Sequence, residues 1–164
     1  MPELNEVITE WNARWGHMER LTIASAPDRT NVYAQIGFSS RSRQVKRSHY
    51  EFLQERERFS VCFHKEDFLS RTDTLYQNFT AFVRGLEAQM LRALGAVIPN
   101  IGREDFTINE RKIKYFWLKV YLPATANAKQ ACDCMEKLIS VTYQPFVEQL
   151  GEPFMPEFAT IAGR

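Results

Sequence analysis

Between Ser48 and Glu66 the chain alternates with a period of two, and two such arms around a charged turn form a β-hairpin rather than a helix. Tyr50, Phe52, Phe59, Val61 and Phe63 take one parity, while His49, Glu51, Cys62 and His64 take the other. If Glu55-Arg56-Glu57-Arg58 closes the turn, Glu51 lies opposite Cys62 and His49 opposite His64, with opposed side chains about 5 Å apart. The hairpin then has one apolar face, and on the other face four groups that bind metals or protons.

A chain of 164 residues that is 45% hydrophobic and 13% aromatic can bury a core of its own. We expect one α+β domain over residues 1–151, and an arm or tail over 152–164 anchored by Phe154, Met155 and Phe158. The 21 Lys and Arg nearly cancel the 20 Asp and Glu, leaving +1, so any electrostatic recognition must be local. Glu3, Glu6 and Glu10 interrupt the N-terminal segment and no run approaches about 18 uncharged apolar residues. A cytoplasmic protein without a membrane partner is the expectation. Cys62, Cys132 and Cys134 are odd in number and lack framework spacing, as expected of reduced thiols.

Leu4, Val7, Ile8, Trp11 and Trp15 recur at helical spacing, which predicts a helix over 4–16 ended by Gly16. Val32, Ala34, Ile36 and Phe38 alternate as a first strand, and the hairpin strands follow at about 48–55 and 58–65. Ser70-Arg71-Thr72-Asp73 has capping-box spacing. Behind it Leu75, Phe79, Phe82, Val83, Leu86, Met90 and Leu94 hold one helical face as far as Gly95. Lys112 to Leu122, dense in aromatic and β-branched residues on both faces, predicts an inner strand stopped by Pro123. The last helix begins near Thr125 or Asn127, buries Ala131, Met135, Leu138, Ile139 and Thr142, and should kink before Pro145. A strand, helix, strand sequence after a hairpin calls for a crossover. The expected fold is therefore a helix, a three-stranded antiparallel meander, a helix, a strand joined in parallel, and a helix.

This order, with Tyr50-Glu51-Phe52 on one strand and Phe59-Ser60-Val61-Cys62-Phe63-His64-Lys65-Glu66 on the next, resembles the core of the PD-(D/E)XK nuclease superfamily. The resemblance implies an αβββαβ core in which an acid on the second strand and an acid-x-Lys on the third bind Mg²⁺ and activate water. Glu51 matches the first acid, whereas Cys62 stands in place of the second and His64 in place of the lysine. Lys65 is adjacent but has the opposite parity. Glu51, Cys62 and His64 are thus the candidate catalytic positions of a degenerate centre.

Hard Mg²⁺ favours oxygen donors, whereas His49, Glu51, Cys62 and His64 together suit Zn²⁺. The alternative is a half-buried polar face in which His and Glu hydrogen-bond one another and Cys62 acts as a small hydrophobe. Arg41, Arg43, Lys46 and Arg47 form a second candidate, for DNA or RNA. Arg111, Lys112, Lys114 and Lys119 flanking Tyr115, Phe116 and Trp117 add cations interleaved with aromatics. The resulting expectation is a nucleic-acid-associated or accessory protein with an inactive nuclease-like core; the competing class is a protein-interaction module. With one carboxylate at the centre, the unmodified protein should show little or no Mg²⁺-dependent cleavage of DNA or RNA. Cleavage lost in Glu51→Ala would refute that expectation.

Overall fold

The computed structural model describes residues 1–23, 33–37, 48–66, 74–108, 115–151 and 156–163. Helix α1 (Leu4–Trp15) forms where the apolar spacing requires it and buries Leu4, Val7, Ile8, Trp11 and Trp15. Its first turn is capped from outside, as the Leu4 amide donates to Gln54 Oε1 at 3.0 Å. Gly16 ends it at a point where a Cβ would lie 2.3 Å from the Asn12 carbonyl oxygen. Asn12 then holds the returning chain by accepting from the Ile23 amide and donating to the Ile23 carbonyl.

The strands β1 (Tyr33–Gln35), β2 (His49–Gln54), β3 (Phe59–Glu66), β4 (Phe106–Ile108) and β5 (Tyr115–Leu122) form one sheet in the order β1-β2-β3-β5-β4. Every pairing in it is antiparallel. The hairpin register is the one expected, with His49 opposite His64 and Glu51 opposite Cys62. Its turn is closed by the Glu55 amide donating to the Arg58 carbonyl at 2.8 Å.

The sheet departs from the expected fold at its last strand. We expected that strand to join in parallel; β5 instead runs antiparallel to β3, from Glu66 opposite Tyr115 to Phe59 opposite Leu122. A crossover does exist, but it delivers β4, which runs in the same direction as β3 and lies two positions away, with room for one strand between them. Strand β5 then turns back into the gap. β4 escaped the sequence reading because three residues are too few to show a period.

Two helices make the crossover where one was expected. Helices α2 (Thr74–Gly85) and α3 (Glu87–Gly95) are separated at Leu86, directly after a glycine that costs a helix about 1 kcal/mol relative to alanine. The stripe carries across the break, with Phe79, Val83, Leu86, Met90 and Leu94 buried as expected, while Leu75 in the first turn of α2 is 41% exposed. The capping box lies outside the described residues.

Helix α4 (Ala128–Leu150) starts from a capping box at Asn127 and Gln130, continues through Pro145, and ends at Gly151 with φ 69°. Its stripe from Ala131 to Thr142 is buried as expected. Helix α5 (Phe158–Ala162) docks the chain end: the Phe158 ring lies 5.0 Å from Tyr50 and 5.9 Å from Tyr143. Phe154 and Met155 lie outside the described residues.

The helices meet the apolar parity of the sheet. Trp11 contacts Phe52 edge-on at 5.6 Å, and Phe63 contacts both Phe79 and Phe146, at 6.0 and 4.6 Å. Tyr50 carries its hydroxyl into this layer and shares a 2.8 Å hydrogen bond with Thr142, whose own hydroxyl donates to the Leu138 carbonyl. Burial, partly offset by that bond, raises the Tyr50 pKa and keeps the phenol neutral.

Arg14 joins α1 to α4, reaching Asp133 at 2.6 Å and Glu136 at 2.8 Å as well as Glu10 on its own helix. Desolvation raises the Asp133 pKa, but the hydrogen bonds from Arg14 and Lys129 outweigh it and the net shift is downward. A carboxyl with a lowered folded-state pKa contributes stability above its ordinary value of 3.8, and that contribution disappears as the pH falls through the folded value. Asp133→Asn should therefore be destabilising at neutral pH and should lose less melting temperature than the parent between about pH 4 and pH 2. Parallel melting curves for the two proteins across that window would show that the ion pair does not couple folding to pH.

Candidate metal centre on the polar sheet face

Directly opposed residues of an antiparallel pair project to the same side, so the registers align the polar parity in rows. Gln35, Glu51, Cys62, Lys119 and Thr107 form one row across the sheet; His49, His64 and Trp117 form the next. His49, Glu51 and His64 are only 7%, 4% and 5% exposed. A buried carboxylate and two buried imidazoles are costly unless something answers their polarity.

The three converge. His49 Nε2 lies 3.3 Å from Glu51 Oε2 and 3.2 Å from His64 Nδ1. All three donor atoms fall within 4.8 Å of one another. Strand pairing brings these side chains to one place, since His49 and Glu51 are two apart on β2 and His64 is the direct partner of His49, and side-chain conformation then selects which of them meet. Around a tetrahedral ion with bonds of about 2.0–2.1 Å, neighbouring donors stand about 3.3 Å apart, which matches the two short separations, whereas a pair 4.8 Å apart would have to close before both atoms could bind one ion.

Either a shared proton or a cation can occupy this point. An ionised carboxylate only accepts, and a neutral imidazole brings one N–H and one lone pair. If His49 Nε2 carries hydrogen, that one hydrogen must serve both Glu51 Oε2 and His64 Nδ1. If it carries a lone pair, it faces the lone pairs of the carboxylate. A cation would satisfy all three atoms at once.

Cys62 stands apart from this group. It faces Glu51 in register, but its thiol is fully buried and hydrogen-bonded to Ser60 Oγ at 3.3 Å. Burial, and then the nearby Glu51 charge, push its pKa well above the usual thiol range, so it is a protonated side chain with little nucleophilic character. The four-residue ligand set expected from the sequence thus becomes a three-residue cluster with the thiol beside it. Mg²⁺ does not fit these donors: among the described residues the cluster has one carboxylate and two nitrogens.

β5 contributes neighbours that the hairpin pattern could not show. The Trp117 ring lies 4.8 Å from His64, and Lys119 Nζ lies 4.9 Å from the Trp117 centroid and 2.9 Å from Glu55 Oε1. The parity of Trp117, Lys119 and Tyr121 was readable in the sequence, but only the register with β3 assigns that parity to the polar face. Arg41, Arg43, Lys46 and Arg47, together with Arg111, Lys112 and Lys114, lie outside the described residues. No described helix is long and apolar enough to cross a membrane.

Comparison of the chain with protein-family models, with curated proteins and with solved structures returns no match.

Cys62, Cys132 and Cys134 are all buried, and burial pushes the Cys132 and Cys134 thiols up to about 12. Ellman's reagent should therefore find no reactive thiol in the folded protein and three after unfolding in guanidinium. Rapid reaction of one native thiol, lost in Cys62→Ser, would show that Cys62 is exposed and activated.

Proposed function

We propose that this protein binds a divalent transition-metal ion of the zinc type through His49 Nε2, Glu51 Oε2 and His64 Nδ1. The observation that carries this reading is the convergence of three buried donor atoms, His49 Nε2 at 3.2 and 3.3 Å from the other two and all three within 4.8 Å of one another. Two imidazoles and one carboxylate are a borderline donor set that favours Zn²⁺, Co²⁺, Ni²⁺ or Fe²⁺ over Mg²⁺ or Ca²⁺. This reading accounts for the buried Glu51 charge, which a bare polar face would leave to a shared hydrogen bond.

Three protein donors leave at least one coordination position to water or to a ligand, the arrangement of metal sites that exchange ligands rather than purely brace a fold. A metal held there would act as a Lewis acid and acidify its bound water. The chain's own contribution is orientation: β2 and β3 hold the donors by backbone pairing, and Trp117 packs on His64. These residues sit on strands rather than loops, so the donors stay close without a metal to gather them.

Isothermal titration with Zn²⁺ at neutral pH should give one site per chain. His49→Ala, Glu51→Ala or His64→Ala should each weaken binding at least about a hundredfold, and Mg²⁺ should not compete. At a metal concentration about 100 times Kd, the parent should gain about 2.7 kcal/mol of stability, seen as a melting temperature several degrees higher. The gain should vanish in Glu51→Ala. Zn²⁺ affinity unchanged in all three variants would place any bound metal elsewhere.

A further inference from the structure

Resting on that metal reading, we infer that the open coordination position takes a small oxyanion, a phosphate or carboxylate group, and that Lys119 is the residue that recognises it. With neutral imidazoles, a divalent ion beside the single Glu51 carboxylate leaves a net positive centre in a poorly hydrated setting, which favours an anionic fourth ligand over a neutral one. Lys119 supplies a second positive group on the same face. It follows Glu51 and Cys62 in one row, and its side chain is only 12% exposed.

The ammonium lies over the Trp117 ring and against Glu55 rather than out in solvent. Two contacts in series, 4.9 Å from Lys119 Nζ to the Trp117 ring and 4.8 Å from that ring to His64, connect it to the imidazole that would hold the metal. Trp117 thus stabilises the cation through its ring face and packs on the ligand side chain. An oxyanion-bearing ligand would meet a metal, an aromatic wall and an ammonium in succession.

Glu55 shows that a carboxylate fits against this lysine. Its Oε1 accepts from Lys119 Nζ at 2.9 Å, and desolvation, which lowers the lysine pKa, is outweighed by this hydrogen bond and by the Glu55 charge. Glu55 lies at the hairpin turn with its side chain 38% exposed, so it can yield to a competing anion. It is an internal competitor for the position. Replacing Lys119 and replacing Glu55 should then shift ligand affinity in opposite directions, whereas a purely structural ion pair would make both replacements act alike.

The test uses the full chain loaded with Co²⁺, whose visible spectrum reports its ligands. Inorganic phosphate and, separately, acetate are titrated into the parent, Lys119→Ala, Lys119→Arg and Glu55→Gln. At least one of the two anions should perturb the parent spectrum saturably. For that anion, affinity should fall about tenfold or more in Lys119→Ala, recover in Lys119→Arg and rise in Glu55→Gln, while Co²⁺ affinity stays within about twofold throughout. Which anion responds assigns the ligand to phosphate or carboxylate chemistry. Co²⁺ binding with no anion response, or a response indifferent to Lys119, would overturn the assignment while leaving the metal site standing. Failure of Co²⁺ to bind the parent would overturn both.

Discussion

The antiparallel pairing of β2, β3 and β5 places residues from successive strands side by side, and each row of side chains emerges on one face only. Phe63 sits in an apolar row with Tyr50 and Leu118, so that face collects Phe79, Phe146 and the helices that carry them. His64, one residue on, sits in a polar row with His49 and Trp117. A slip of one residue between β2 and β3 would mix the two chemistries, sending charge into the helical layer and phenylalanine onto the polar face. The apolar packing therefore enforces the register that assembles the His49–Glu51–His64 cluster, and the stability of the core and the geometry of the cluster have the same origin.

The helical layer holds that register from several sides. α1 is tied to the sheet through Gln54 at its first turn and through Trp11 against Phe52, and to α4 through Arg14. Tyr50 spans the layer by bonding Thr142 on α4, while α5 closes over the same tyrosine with Phe158. These contacts restrain β2, the strand that supplies His49 and Glu51, two of the three residues of the cluster. That rigidity keeps His49 Nε2 within 3.3 Å of Glu51 and 3.2 Å of His64.

The hairpin register was legible from the sequence, because a period of two and a four-residue turn leave one pairing that separates apolar from polar residues. Helical periodicity located α1 and a start of α4 near Thr125 or Asn127, of which the structure uses Asn127, and the two-sided apolar pattern gave the inner position of β5. Periodicity missed the break at Leu86, where Gly85 weakens a stripe that otherwise reads as continuous, and it missed β4, which is too short for periodicity to register. Missing β4 reversed the inferred direction of the last strand, since the crossover was assigned to the wrong destination.

By itself, the sequence determined which side chains share a face of the hairpin, because side-chain alternation is a local property of an extended chain. It thereby placed His49, Glu51, Cys62 and His64 on one surface. Only the tertiary structure decided that three of them converge while Cys62 turns to Ser60, because rotamers answer to neighbours on other strands. Only the structure, too, brought Trp117 and Lys119 beside the triad, since the pairing of β5 with β3 joins segments about fifty residues apart and depends on how the intervening helices return the chain.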